Sequence, residues 1–295
     1  MERYDLTKKV GIIGIIGNIF LFIIKIVIGV LSNSRAMIAD ALNSAGDVFA
    51  SFMTWLGNHI ALVPKDNDHN YGHGKAEYIF TMLIGISMII LSIKLLYDSI
   101  LSIINYNKLI FSWKIVLISI ITIITKLCLY LYTKSMYKKT GNLLVKSNMI
   151  DHRNDMVLTF LTLVAILFTQ INIYFVDGIV GIIISIWIFI SGIKLYKDSY
   201  DVLMDQAIDN TSQKKIIDIL KRNNDIKKIG RIYSLPIGYK YIVVITIFVD
   251  GGLTTLKSHT VADKVESEII KEIDKIEDVL VHVEPIINVK NKINL

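Results

Sequence analysis

The chain has 295 residues, 53% of them hydrophobic, a formal net charge of +6 and one cysteine. That is too apolar for an ordinary soluble domain, which carries about 45–50% apolar residues. The lone Cys128 excludes a disulfide framework and a cysteine metal site, and the lysines cluster between apolar runs rather than along one helix, which argues against nucleic acid as a partner.

A membrane helix needs ~20 mostly apolar residues. Six segments meet this: 10–31, 37–62, 78–103, 113–132, 149–170 and 173–196. The basic start (Arg3, Lys8, Lys9) is of the kind that opens a signal peptide, but the apolar run behind it is too long for one. Tight connections at Ser32-Asn33-Ser34-Arg35 and near Asn172 predict antiparallel neighbours. Basic residues then set the orientation. They gather at the N-terminus, at Lys65 and Lys75 in the second loop, and at Lys134, Lys138, Lys139 and Lys146 in the fourth. The remaining loops carry only Arg35, then Lys108 and Lys114, then none. Both termini are therefore expected in the cytoplasm, with the chain crossing the bilayer of the cell membrane. Lys25, Lys94 and Lys126 fall inside apolar runs. Long stems let such lysines reach the membrane interface, and pairing with acids inside the bundle is the other reading.

Beyond Tyr196 the composition turns polar. The patterns predict a helix over 212–223, strands over 231–236 and 239–249, a helix over 255–276 and a strand over 278–287. This αββαβ order fits a small two-layer α+β domain. The division expected is a transmembrane domain over 1–204 and a soluble, dimerising or regulatory domain over 205–295.

The second and fifth segments are the least apolar, and their polar residues are patterned. Asp40, Asn43 and Asp47 follow the i, i+3, i+7 spacing of one helix face, and Asp151 and Asp155 lie four apart on another. Ionisable groups at membrane depth are costly and mark functional sites. The alternative, that such residues only join helices by hydrogen bonds, suits Asn43 alone better than it suits three carboxylates on two spans. Unpaired, those carboxylates repel; a divalent cation, or protons exchanged for it, must neutralise them. Asn43, Asp47, Asp151 and Asp155 make an all-oxygen set, which suits a hard cation. His152 follows Asp151 directly and is expected to face about 100° away on the helix. In the second loop, Asp66, His69 and His73 form a carboxylate and imidazole cluster compatible with zinc-like coordination.

Three stretches together resemble the cation diffusion facilitator family: Ala39-Asp40-Ala41-Leu42-Asn43-Ser44-Ala45-Gly46-Asp47, Tyr71-Gly72-His73-Gly74-Lys75-Ala76-Glu77, and Asp151-His152-Arg153-Asn154-Asp155. The resemblance covers nearly the whole chain. It implies a homodimeric, proton-coupled exporter of divalent metal with six transmembrane helices and a ferredoxin- or metallochaperone-like cytoplasmic tail. Its transport site falls on Asn43, Asp47, Asp151 and Asp155, and its loop site on Asp66, His69 and His73. A structural salt bridge falls on Lys75 and Asp205. Zinc-transporting members carry a histidine in the transport set; this chain has none there and looks like manganese-exporting bacterial members, with zinc or iron(II) as the alternative cargo. In the tail, His259, His282 and Glu284 match the family's metal-binding positions, but two earlier histidines are missing from 230–249, which argues against a tight site. An enzyme is not expected: a membrane-anchored metallohydrolase built on the loop cluster needs a cleft, an open coordination position and a general base, and the sequence offers none. A metal sensor leaves the buried acids unexplained.

Overall fold

The computed structural model describes residues 2–31, 35–104, 112–169 and 175–286. The expected connections at 32–34 and near Asn172, the loop lysine Lys108, and the ends of the segments at Gln170, Ile173 and Ile287 lie outside the described residues. Two compact units divide at Tyr200 and Asp201.

Among the described residues the first unit is built from six long helices: α1 (Glu2–Leu31), α2 (Arg35–Ala61), α3 (Ala76–Ile104), α4 (Trp113–Thr140), α5 (Leu143–Thr169) and α6 (Phe175–Leu203). At 1.5 Å per residue each is roughly 40–45 Å long, more than the ~30 Å hydrocarbon thickness of a bilayer. This explains why all six run past at least one end of the apolar stretch read in the sequence: apolarity marks lipid contact, and the helix continues beyond it. Four of them, α1, α3, α4 and α6, are long and apolar enough to cross a membrane. The other two, α2 and α5, are 27 residues each and carry the polar clusters.

Burial is inverted relative to a soluble bundle. On α4 the buried stripe is Ile118, Thr122, Lys126, Leu129 and Thr133, while Leu117, Ile120, Ile124, Leu127 and Leu131 face outward. Lipid tails solvate the aliphatic face, so polar groups must find one another inside. Close helix approach supports this. A Cβ on Gly85 of α3 would stand 3.2 Å from the Gly192 carbonyl of α6, so both positions demand the smallest residue. Near the helix ends, Glu77 acts as a junction. Its carboxylate, only 2% exposed, takes both Arg3 guanidinium nitrogens at 2.9 Å and accepts the Leu143 backbone N–H at 2.9 Å. Arg3 Nε also donates to the Thr140 carbonyl at 2.9 Å. One bidentate ion pair thus joins α1, α3 and the α4–α5 turn.

The second unit follows the expected αββαβ order: α7 (Asn210–Arg222), β1 (Ile226–Pro236), β2 (Tyr241–Asp250), α8 (Thr255–Glu272) and β3 (Ile276–Ile286). The sheet order is β1-β2-β3, with β2 antiparallel to β1 and parallel to β3. The parallel pair requires a crossover, which α8 provides. Alternate residues of β2 (Val243, Ile245, Ile247, Val249) meet Ile216, Ile219 and Leu220 of α7 and Val261, Val265 and Ile269 of α8 in one core. Two boundaries differ from the sequence reading by more than two residues. β1 starts at Ile226, five residues earlier than Arg231, because register shifts after Ile226 and Ile229 interrupt the alternation that marks a strand. α8 ends at Glu272 rather than Ile276, because Ile273 and Ile276 continue an apolar periodicity while packing as turn and strand.

Asp209 caps α7. It accepts the Ser212 N–H and hydroxyl, each at 3.0 Å, and the Lys275 ammonium at 2.8 Å. The Lys275 hydrogen bond, with the Ser212 backbone bond next, holds its carboxyl down at about 2. A depressed folded pKa stabilises above the unfolded value and is lost as pH falls through the folded one. At 43% side-chain exposure, solvent screening leaves the cap rather than the ion pair as the main contribution. Asp209→Ala is expected to cost about 1 kcal/mol at neutral pH. In thermal unfolding of the full-length protein in detergent, the gap between wild type and variant should narrow as pH falls from about 4 towards 2.

Candidate metal centre

A polar face runs along α2 through Asp40, Ser44, Asp47, Ser51, Thr54 and Asn58 in steps of three or four, so these side chains stack on one side of the helix. Ser44, Asp47, Ser51, Thr54 and Asn58 are buried. On α5, Asn148, Asp151, His152 and Asp155 occupy the corresponding depth, and the first three are buried. A hydrogen-bond network that composition did not reveal sets the two helices against each other. Asn18 of α1 donates to the Asp47 carbonyl and to Ser51 Oγ, each at 3.1 Å. Ser51 donates to Asn148 Oδ1 at 3.2 Å, and Asn148 Nδ2 donates to Thr54 Oγ1 and to the Leu144 carbonyl. The signal for this network was a run of single polar residues at helical spacing on α1, α2 and α5.

One turn along, the carboxylates of the two helices meet a shared cation. Lys126 of α4 donates to Asp47 Oδ2 at 2.7 Å and to Asp155 Oδ2 at 2.5 Å. Those oxygens are therefore no farther apart than the two contacts laid end to end. Lys25 is likewise buried, pairing with Asp40 at 3.0 Å and Ser44 Oγ at 3.1 Å. Of the two readings of the intramembrane lysines, Lys25 and Lys126 take the one in which they pair with acids of the bundle; Lys94 is exposed. The physical reason is the neighbour: Lys25 has Asp40 of α2 beside it, and Lys126, at the middle of α4, has Asp47 and Asp155.

Asp151, His152 and Asp155 each offer a ligand atom, all within 4.8 Å of one another. Adjacent positions diverge by about 100° on a helix, and His152 still offers one ring nitrogen within that distance of both acids. Asp151 Oδ2 and both His152 ring nitrogens are buried without a hydrogen-bond partner among the described residues. Buried polar atoms normally find partners, so this cluster retains ligating capacity that the protein itself does not use. A cavity of about 160 Å³ opens beside it, lined among others by Asn43, Asp47, Thr122, Lys126 and Asp155. That is room for an ion with waters. Asp151 joins this set through Asp155.

The loop cluster also converges. Asp66 lies 3.3 Å from His69 Nδ1 and 3.6 Å from His73 Nε2, and the two rings stand 4.3 Å apart. The His69 backbone N–H, at 2.6 Å, is the main influence holding the Asp66 carboxyl below its ordinary range. His73 Nδ1 faces the Pro64 carbonyl at 3.3 Å, an arrangement that turns Nε2 toward the cluster as a ligand. In the tail, His282 and Glu284 meet at 2.9 Å, whereas His259 sits beside Asp263 at 3.6 Å and does not join them within one chain. Lys75 immediately precedes α3. Asp205, in the other unit, turns the chain after α6 with φ 58°.

Six long helices with lipid-facing aliphatic surfaces and carboxylates gathered around a cation define a membrane cation carrier rather than an enzyme. Residues 11–204 match the cation efflux transmembrane domain, and residues 208–286 match the cation efflux protein cytoplasmic domain. The chain belongs to the cation efflux family, whose members are divalent-metal transporters. It is similar to the manganese efflux system protein MneP of Bacillus subtilis, 28% identical over 291 residues covering 96% of this chain and 98% of that one. It is also similar to MneS of the same organism, 27% identical over 97% of this chain and 99% of that one. Magnetosome protein MamM of Magnetospirillum gryphiswaldense is 24% identical over 94% of this chain and 88% of that one. Among solved structures, the metal-bound C-terminal domain of the CzcD transporter from Thermotoga maritima is 32% identical, with TM-score 0.26, covering 28% of this chain and 99% of that one.

Asn148→Leu removes the centre of the α2–α5 network and leaves Ser51 and Thr54 without it. The expected loss is about 1–3 kcal/mol, read as a lower thermal midpoint of the detergent-solubilised protein.

Proposed function

We propose that the protein exports manganese(II) from the cytoplasm in exchange for protons, with Asn43, Asp47, Asp151 and Asp155 as the transport site. The observation that supports this most is the shared Lys126 contact: one cation already touches carboxylates of both α2 and α5 at once, so a metal ion of similar reach can do the same. Three carboxylates and an amide favour a hard cation, and relatives named for manganese efflux favour manganese among such cations. Alternating access would present this site first inward and then outward by rocking of helix groups, in a homodimer of the cell membrane with both termini in the cytoplasm. Protons that neutralise the acids after the metal leaves give the return step. Each unit of pH difference supplies ~1.4 kcal/mol per proton, and each charge moved across 100 mV ~2.3 kcal/mol. Asp66, His69 and His73 form an accessory loop site in this reading, and the tail's His259, His282 and Glu284 have at most a weak metal-sensing role.

The second reading, zinc or iron(II) export, is favoured by His152, one of whose ring nitrogens lies within 4.8 Å of ligand oxygens of Asp151 and Asp155. Imidazole raises preference for these metals. Uptake into proteoliposomes of manganese, zinc, iron(II) and cadmium under a pH gradient separates the two. Manganese transport should dominate, collapse with the gradient, and fall at least tenfold in Asp155→Ala. His152→Gln should leave manganese transport within twofold and reduce any zinc transport. Manganese transport that survives in Asp155→Ala removes the site assignment, and a zinc-dominated profile lost in His152→Gln selects the second reading.

A further inference from the structure

Lys126 stands where a transported ion has to go. It projects from the middle of α4, is 1% exposed, and donates to Asp47 Oδ2 and Asp155 Oδ2 at 2.7 and 2.5 Å. Metal–oxygen bonds to hard cations are roughly 2.0–2.6 Å, as short as these contacts or shorter. An ion bound to the same two oxygens therefore occupies the space of the ammonium, and the two positive charges repel across it. Lys25 differs, because its partners are Asp40 and Ser44, two turns and one turn nearer the start of α2 than Asp47.

Resting on the transport-site reading above, we infer that Lys126 is the resident cation of that site: loading exchanges its ammonium for the divalent ion, and unloading brings it back. Lys126 thereby sets affinity and release. It holds the two acids together when no ion is present, which spares them mutual repulsion in a medium of low polarity. It weakens metal binding by the cost of its own displacement, and by returning it expels the ion. The cavity gives it somewhere to go. Thr122, one helical turn back on the same face of α4, lines the same cavity, and its buried Oγ1 has no partner among the described residues.

The test is Mn²⁺ titration of the full-length, detergent-solubilised protein by calorimetry, together with Mn²⁺ release from preloaded protein. Lys126→Met and Lys126→Gln should bind Mn²⁺ at least tenfold more tightly and release it at least fivefold more slowly, while Lys126→Arg stays within threefold of wild type. Neutral variants that bind no more tightly than wild type overturn the inference. Asp47→Ala, measured alongside, tests the underlying site: Mn²⁺ binding that persists there defeats the site assignment itself, a result distinct from any behaviour of Lys126. If the neutral variants do not fold, a structure of wild type in saturating Mn²⁺ decides. An ion between Asp47 and Asp155 with Lys126 Nζ beyond hydrogen-bond reach supports the exchange; Nζ still between those oxygens beside a bound ion overturns it.

Discussion

Carboxylates removed from water need a positive charge, and most of the membrane unit can be read as the means of supplying one. In this structure the charge on Asp47 and Asp155 is met by Lys126, in contacts of 2.7 and 2.5 Å. Removing one partner from such a group leaves an uncompensated buried charge, a penalty of about 3–5 kcal/mol. The cluster is therefore held as a unit, and whatever replaces the ammonium must itself be cationic. Selectivity for cations follows from this constraint before any particular metal is considered.

The surrounding helices keep that constraint in force. Aliphatic residues on the outer faces leave the polar side chains no solvent but one another. The network of Asn18, Ser51, Thr54 and Asn148 fixes α1, α2 and α5 one turn away from the carboxylates. Near the helix ends, Glu77 binds Arg3 and the first turn of α5. Polar networks of this kind make the helices they join rigid.

The second unit has a different logic. Its core is aliphatic and continuous across α7, α8 and the central strand β2, and its polar side chains lie outside. His259, His282 and Glu284 belong to that outer surface, each engaged with a neighbour rather than with all the others. Within one chain they are surface groups of a stable small domain, and any convergence has to come from a second copy.

Much of this was legible in the residues. Apolar runs gave the helices, because lipid contact requires them whatever the packing. Acids at intervals of three and four inside those runs gave the candidate site, because a carboxylate in lipid is too costly to keep without a positive charge to meet it. The αββαβ order of the tail followed from periodicity, apart from the start of β1, where bulges hide the alternation, and the end of α8, where Ile273 and Ile276 extend the pattern without the helix. What the chain could not state was which charges meet. Lys126 and Asp47 are 79 positions apart, and a lysine in an apolar run fits an ammonium at the membrane surface as well as one inside the bundle, the first being the commoner case. Composition and spacing thus determined that buried acids need a cation; only the packing of α4 against α5, with Lys126 reaching across to Asp47 of α2, decided that the protein carries one of its own.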